Sequence, residues 1–138
     1  MHNVSSPRMD DAGIEVEIKA KGKTAPRVTP ADIEASIRSE HYFTAENGVR
    51  GGGLLTEKGP DLHGAYGVSV PLPLCLLTFC VLVLENGFTV TGESACASPE
   101  NFDAEIGRKV ARANAVNKIW PLLGYQLKTA LHLCKETP

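Results

Sequence analysis

Residues 74–125 read LCLLTFCVLVLENGFTVTGESACASPENFDAEIGRKVARANAVNKIWPLLGY and hold most of the apolar side chains that could form a core. The run from Leu74 to Leu84 is almost continuously apolar, which predicts a central strand with both faces covered by protein. Residues 88–95 alternate between apolar or small and polar side chains, the period of a half-buried strand. Between them, Asn86-Gly87 predicts a two-residue type I′ turn, because both residues adopt a positive φ at low cost. The stretch therefore predicts an antiparallel hairpin.

A long helix is predicted to follow the hairpin. Ser98 is a favourable N-cap, Pro99 has no N–H to leave unpaired, and Glu100 suits a first helical turn, so the helix should begin between residues 99 and 101. Steps of three, four or seven residues predict the helical face that packs on the sheet: Phe102, Ile106, Val110, Ala113 and Trp120. Pro121 is expected to end or kink this helix. A second helical segment should then carry Leu122, Leu123, Leu127, Ala130 and Leu131.

The chain before this stretch predicts less regular structure. Residues 1–28 are expected to form a flexible arm, or to include a short edge strand where apolar and charged residues alternate over 14–18. Thr29-Pro30 is a helix start signal, and the helix should run from Pro30 to about Glu40. Residues 44–67 are rich in glycine and predict a long loop. The fold class is therefore α+β: one ligand-binding domain over 29–138, with a small antiparallel sheet, a long C-terminal helix and a shorter N-terminal helix.

Charge and cysteine content exclude several classes of function. The chain of 138 residues has 14 Lys and Arg against 16 Asp and Glu, a net charge of −2, which argues against binding polymeric nucleic acid or an anionic membrane. The apolar run over 68–84 is shorter than the roughly 20 residues of a membrane span and contains two prolines. The cysteines show no C-x-x-C spacing, which indicates reduced, buried thiols and no metal site: Cys75, Cys80, Cys96 and Cys134.

The sequence offers no catalytic constellation and calls for no cofactor. Nucleophilic catalysis needs a nucleophile, a base and a group that orients the base. The histidines lie in predicted tails or loops, away from the hairpin and helix: His2, His41, His63 and His132. Residues 92–95, GESA, have neither the spacing nor the context of a nucleophile elbow. We therefore expect a binding protein and not an enzyme.

Basic residues on the long helix are the best binding candidates. Arg108 and Arg112 are one turn apart and could address one anionic group together, with Lys109 and Asn114 close by. The alternative is a solvated face whose arginines pair with acids such as Glu105. Phe102 could stack on a base or belong to the core. Gly51-Gly52-Gly53 beside Arg50 could cradle a phosphate, but neither the Walker pattern nor the dinucleotide fingerprint is present, and the alternative is a mobile insertion.

Several short motifs resemble a family of small bacteriophage proteins that includes the Thoeris anti-defence proteins. The motifs are Asn86-Gly87-Phe88, Gly92-Glu93-Ser94-Ala95, Asn101-Phe102-Asp103, Gly107-Arg108-Lys109, Ala111-Arg112, Asn114-Ala115 and Ile119-Trp120. The segment from Thr29 to Phe43 also resembles the family's N-terminal helix and its exit. The resemblance covers this segment and roughly the last half of the chain, and does not include the first 28 residues or the glycine-rich stretch.

This resemblance implies that the protein is a sponge. Members of the family bind, without cleaving them, cyclic ADP-ribose-type signals in the cytoplasm of infected bacteria, so that an immune effector stays inactive. Some also bind cyclic oligonucleotides at a separate site. They are dimer-based oligomers, up to hexamers, with ligand pockets near protomer interfaces. On this reading Arg108, Lys109 and Arg112 would contact phosphates, Asn114 a ribose or base edge, and Phe102 a base.

Two other hypotheses remain open from the sequence. One is an interaction module that binds a host protein through the same helix face, and the other is a small hydrolase. Recovery of intact ligand from heated protein would favour the sponge, whereas converted ligand would favour the hydrolase. A co-purifying host protein without ligand binding would favour the interaction module.

Overall fold

The computed structural model describes residues 11–52 and 70–136 as helices flanking a sheet. In chain order the elements are α1 (Asp11–Ala20), α2 (Pro30–Ser36), β1 (Ile37–Thr44), α3 (Ala45–Gly52), α4 (Leu72–Cys75), β2 (Leu77–Leu84), β3 (Thr89–Ala95), a 3-10 turn (Pro99–Asn101) and α5 (Ala104–Glu136). The sheet formed by the described strands is antiparallel, in the order β1-β2-β3. The α+β class and the long C-terminal helix are thus confirmed.

The connection between β2 and β3 differs in detail from the predicted turn. The Leu84 N–H donates to the carbonyl of Phe88, and the Gly87 N–H donates to the carbonyl of Leu84. Three residues therefore form the loop, with Gly87 at φ 86°. The Asn86 side chain accepts a hydrogen bond from the Phe88 N–H at 2.9 Å. This is the arrangement of a type I turn followed by a left-handed glycine, and not a two-residue type I′ turn.

One face of the sheet packs against α5 through very small residues. A Cβ added to Gly92 would lie 2.2 Å from the carbonyl oxygen of Ala111 and 2.3 Å from the nitrogen of Ala115, so the helix backbone rests directly on the strand. Ala111, Ala115 and Ile119 are fully buried there. The predicted packing face was wrong at two positions, since Ile106 is 48% exposed and Ala113 is also exposed, whereas Trp120 does pack against the core. Close approach of backbones requires small side chains, and these carry little signal in a hydrophobic pattern.

The opposite face of the sheet is only half covered. β2 is the central strand, as predicted, but only every second residue is buried. Thr78, Cys80, Leu82 and Leu84 face α5, whereas the alternate residues are half-buried: Leu77, Phe79, Val81 and Val83. The prediction that both faces are covered is therefore wrong for the described residues. β3 shows the predicted alternation, with Val90, Gly92 and Ser94 buried.

The predicted N-terminal helix is real but shorter. Thr29 forms a capping box with Asp32, as the start signal predicted. The helix ends at Ser36 and not near Glu40, because the chain enters β1 at Ile37 and the Ser36 carbonyl accepts a hydrogen bond from the Glu85 N–H. β1 was missed because its exposed edge carries polar side chains that do not resemble a core strand.

Two segments predicted to be irregular contain helices. Residues 11–20 form α1, and not an arm or an edge strand. Residues 45–52 form α3, whose first turn is capped by reciprocal hydrogen bonds between Thr44 and Asn47. Residues 1–10 of the predicted arm, and residues 53–67 of the predicted glycine-rich loop, lie outside the described residues.

α5 continues through Pro121, which neither ends nor sharply divides it. The helix packs on β2 and β3. Among its described residues, those that are buried all lie in the first half, up to Trp120, whereas the second half is mostly exposed. We call the second half, residues 121–136, the distal half of α5. It exposes large apolar side chains, including Leu122, Tyr125, Leu131 and Leu133.

The cysteines carry free thiols. Cys80 and Cys96 are buried as predicted, but Cys134 is exposed on the distal half of α5. Over residues 11–52 and 70–136, no helix has the length and apolar character needed to cross a membrane.

Candidate functional site

A small cleft lies where β1, α3 and the start of α5 meet. It has a volume of about 120 Å³ and is lined by Tyr42, Phe43, Thr44, Asn47, Thr78, Phe102, Ala104 and Arg108. Two residues predicted from the sequence, Phe102 and Arg108, therefore share one site. Aromatic side chains and a guanidinium are the groups that recognise bases and phosphates.

Local structure fixes the walls of this cleft. Phe102 ends the 3-10 turn, and Asp103 then caps α5 by accepting a hydrogen bond from the Ile106 N–H at 3.0 Å. One turn further along, Gly107 lies against buried Thr78, which lets the start of α5 approach β2. On the other wall, Phe43 stacks on Phe79 with ring centroids 5.4 Å apart. The cleft is thus built on regular elements.

Arg108 is the uncommitted cation of this site. It has no hydrogen bond or ion pair with any residue in the described part of the chain, and its side chain is exposed. The other arginines within residues 11–52 and 70–136 are engaged: Arg27, Arg38, Arg50 and Arg112. A guanidinium that is free and adjacent to an aromatic ring is available for an anionic ligand.

Arg112 instead joins three elements of the fold. Its Nε donates to Glu40 at 2.8 Å, and its two terminal nitrogens donate to the two carboxylate oxygens of Glu34 at 3.2 and 2.8 Å. Hydrogen bonding to Glu34 is the main cause that raises the pKa of Arg112, and the same contact lowers the pKa of Glu34. The guanidinium therefore stabilises the contact of α5 with α2 and β1.

Tyr42 and Cys80 lie next to this charged network. Burial, followed by the proximity of Cys80 and Glu40, raises the pKa of Tyr42 to about 12. Burial is also the main cause that raises the pKa of the Cys80 thiol. The Tyr42 hydroxyl donates a long hydrogen bond of 3.4 Å to Glu40. Both groups remain protonated at neutral pH, so Tyr42 offers the cleft a neutral ring and a hydroxyl.

The remaining predicted site residues lie outside the cleft lining. Lys109 forms an exposed ion pair with Glu105 at 3.2 Å. Asn114 donates to the Glu93 carbonyl at 2.8 Å and so joins α5 to β3. Arg50 pairs with Glu46 on α3 at 3.2 Å. Their predicted roles in ligand binding stay predictions.

Four residues of the cleft lining were not predicted from the sequence as site residues: Tyr42, Phe43, Thr44 and Asn47. Their position depends on β1, which the helix prediction had partly replaced. The T-x-x-N pattern of Thr44 and Asn47 was an available signal, because such a pair caps a helix start. Recognising it would have ended the strand at Thr44 and placed α3 beside it.

The described residues also form larger grooves and no cluster of metal-ligand side chains. Among residues 11–52 and 70–136 there is no group of three or more His, Cys, Asp or Glu side chains that could hold a metal ion. An apolar groove of about 500 Å³ runs between the hairpin loop and the distal half of α5. A second groove, of about 440 Å³, lies between α1 and Trp120.

Comparison with known proteins identifies a family. The model of the phage protein (N4 Gp49/phage Sf6 gene 66) family matches residues 28–131. This range includes α2, the whole described sheet, the cleft and most of α5. No curated protein and no solved structure matches the chain. On the family match, the chain belongs to the phage protein (N4 Gp49/phage Sf6 gene 66) family.

Proposed function

We propose that this phage protein binds and sequesters a cyclic ADP-ribose-type signalling nucleotide in the cytoplasm of the infected host, without cleaving it. The observation that carries the proposal is that Arg108, which has no partner among the described residues, shares a cleft with Phe102. The resemblance to the Thoeris anti-defence proteins supplies the ligand class. A sponge of this kind would keep the downstream immune effector inactive.

The cleft chemistry suits a nucleotide. Arg108 can donate two parallel hydrogen bonds to a phosphate, and the rings of Phe102 and Tyr42 can contact a base. The neutral Tyr42 hydroxyl adds a hydrogen-bonding group for a ribose. Cyclic di- or trinucleotides present the same groups and are a second ligand class for the same test. This mode of binding requires no cofactor.

One copy of the chain offers too little space for the whole ligand. The cleft holds about 120 Å³, whereas ligand pockets usually measure roughly 300 to 1,000 Å³. A homo-oligomer could complete the pocket, and exposed apolar residues on the distal half of α5 supply surface for association. We therefore propose a dimer-based assembly, which the resemblance extends to a hexamer. Light scattering should give a multiple of the 14.8 kDa chain, and a monomer at micromolar concentration would contradict this part.

Calorimetric titration of cyclic ADP-ribose isomers tests the cleft. Arg108→Ala should weaken binding by about 2 to 5 kcal/mol, because the phosphate is left without its partner. Arg108→Lys should also weaken binding, since it keeps the charge but loses the planar fork. Lys118→Ala removes a positive charge from an exposed position of α5 outside the cleft and is the matched control. Wild-type affinity in Arg108→Ala would remove this residue from the site.

Arg112→Ala separates a structural role from a binding role. Arg112 holds Glu34 and Glu40, so its loss should lower the free energy of unfolding as well as any ligand affinity. If it also contacts ligand, the loss of affinity should persist at temperatures where the variant remains fully folded. Unchanged affinity in the folded variant would restrict Arg112 to its structural role.

The fate of the ligand distinguishes binding from hydrolysis. After incubation with a cyclic ADP-ribose isomer, heat denaturation should release the same species unchanged. Release of a converted product would support a small hydrolase instead. Failure to bind any cyclic nucleotide, together with a stoichiometric complex with a host protein, would support the interaction module.

A further inference from the structure

The most separable part of the described fold is α1. None of its residues is fully buried, and Val16 is 68% exposed. It presents a narrow face to the rest of the chain, formed by half-buried Ile14, Glu15 and Ile18. A helix of ten residues is too short to be stable alone in water, so α1 depends on what it contacts.

α1 lies over a groove that it does not fill. The groove measures about 440 Å³, and its far wall is formed by Val28, Pro30, Asn117 and Trp120. These four residues fall within the family-matched range 28–131, whereas α1 precedes it. The groove wall thus belongs to the family domain, and α1 is a separate covering element. The unfilled volume means that apolar packing alone holds α1 weakly.

An ion pair supplies the specific attachment. Arg27 donates two hydrogen bonds to the two carboxylate oxygens of Glu15, at 2.6 and 2.7 Å. The side chains of Glu15 and Arg27 are only 17% and 25% exposed. Lys19, on the next turn of α1, also faces Glu15 at 4.0 Å, and Asp32 is the nearby acid. The pair therefore joins α1 to the start of the family domain.

The connection after α1 allows it to move as a unit. α1 ends in a Schellman motif, in which the Lys23 N–H donates to Ile18 and the Gly22 N–H donates to Lys19. Gly22 has φ 66°, as this motif requires. The following residues up to Pro26 are exposed. The end of α1 is thus fixed within the helix itself, while the short link to Arg27 is free of packing.

We propose that the Trp120 face is a helix-docking groove and that α1 is its releasable occupant, a strap closed by the Glu15–Arg27 pair. When the pair breaks, α1 leaves the groove and Trp120 becomes accessible to solvent. This strap covers the middle of α5, at Asn117 and Trp120, is formed by other residues than the Arg108 cleft, and does not depend on the proposed ligand.

Trp120 is the only tryptophan in the chain and reports directly on the groove. Fluorescence quenching by acrylamide should be measured for the full chain and for E15K, which places a positive charge against Arg27. The quenching constant of E15K should rise at least about twofold, because the open population increases when the pair is lost. E17K is the matched control, since Glu17 pairs with Lys21, just after the end of α1, and neither residue lines the groove.

A charge-reversal double variant distinguishes loss of the ion pair from a general loss of structure. E15K combined with R27E restores an ion pair of opposite polarity and should return the quenching constant towards the wild-type value. Salt is a weaker probe of this pair, because an ion pair whose side chains are only 17% and 25% exposed is screened much less than a surface pair. Equal quenching in E15K and E17K, or no recovery in the double variant, would overturn the proposal.

Discussion

The two halves of α5 belong to one helix but differ in how they are supported. Residues 104–120 rest on β2 and β3 through Gly107, Ala111, Ala115 and Ile119, all of which are buried. Residues 121–136 are mostly exposed, although they carry larger apolar side chains. Size of an apolar residue therefore does not predict its burial here. The small residues are buried because they let two backbones meet, and the large ones remain for a further surface.

The two halves should differ most in the free energy of unfolding that is lost when an isoleucine or a leucine is replaced by alanine. Ile119 is fully buried, so Ile119→Ala should lower the free energy of unfolding by about 2 to 5 kcal/mol through lost burial and a cavity. Leu122, three positions later, is 38% exposed, and Leu122→Ala should cost less than about 1 kcal/mol. Urea unfolding at low protein concentration measures both.

Protein concentration sharpens this first prediction. If an oligomer covers the distal half of α5, the cost of Leu122→Ala should grow as the concentration rises, because association stabilises the folded chain. The cost of Ile119→Ala should change less. Equal costs for the two variants at low concentration would contradict the contrast between the halves.

Replacing glycine by alanine should change the stability of the fold in opposite directions beneath the first half of α5 and within its distal half, which is the second contrast. Gly92→Ala should destabilise the fold by about 2 to 3 kcal/mol, because the new methyl group would meet helix backbone that cannot move aside alone. Gly124→Ala on the distal half meets no atom within 4 Å and should stabilise the helix by about 1 kcal/mol. Thermal melts of the two variants provide the comparison, and a stabilised Gly92→Ala variant would show that helix and sheet are further apart.

The smallest predicted effect concerns pH and the first half of α5. Arg112 lowers the pKa of Glu34 from its ordinary value near 4.5, so this contact stabilises the fold above that pH. The contribution is lost as the pH falls through the lowered pKa of the folded state, because Glu34 then becomes protonated. Since Glu34 is 59% exposed, we expect at most about 1 kcal/mol.

A comparison of Glu34→Gln with the wild type isolates this effect. The difference in urea midpoint should be clear at pH 7 and should shrink as the pH falls through the lowered pKa of Glu34, where the wild-type side chain also becomes neutral. Glu105→Gln on α5 is the control, because its pair with Lys109 is highly exposed. A pH-independent difference for Glu34→Gln would assign its effect to packing and not to charge.

The sequence predicted the fold wherever local signals agreed with tertiary contacts. Asn86-Gly87 placed the connection between β2 and β3, and the apolar run before it identified the central strand. The packing face of α5 was predicted wrongly because Ala111 and Ala115 are no more apolar than Ala113, and only contact with Gly92 distinguishes them. β1 was read as the end of a helix because its burial comes from pairing with β2, which is distant in sequence.

Only the part of the candidate site that lies within one segment of the chain could be predicted from the sequence. Phe102 and Arg108 lie within one segment, and helical geometry brings them close. The opposite wall, with Tyr42 and Asn47, requires the path of β1 and α3. The sequence also could not reveal that Arg112 is held by Glu34 and Glu40, because these acids lie more than seventy positions earlier in the chain.

Pro121 determines how the end of α5 can respond to force. Proline has no N–H, so the carbonyl of Asn117 lacks its helical hydrogen bond at the boundary between the two halves. The distal half is about 24 Å long, and a change of about 10° at this point would displace its tip by about 4 Å. Most described side chains of the distal half are exposed, so few contacts with residues 11–52 and 70–120 oppose a change of this angle. A partner that binds the distal half can therefore change the direction of that half without disturbing the sheet. A force applied to the tip would first act on the helix around Asn117 and Trp120, where the hydrogen bond is missing.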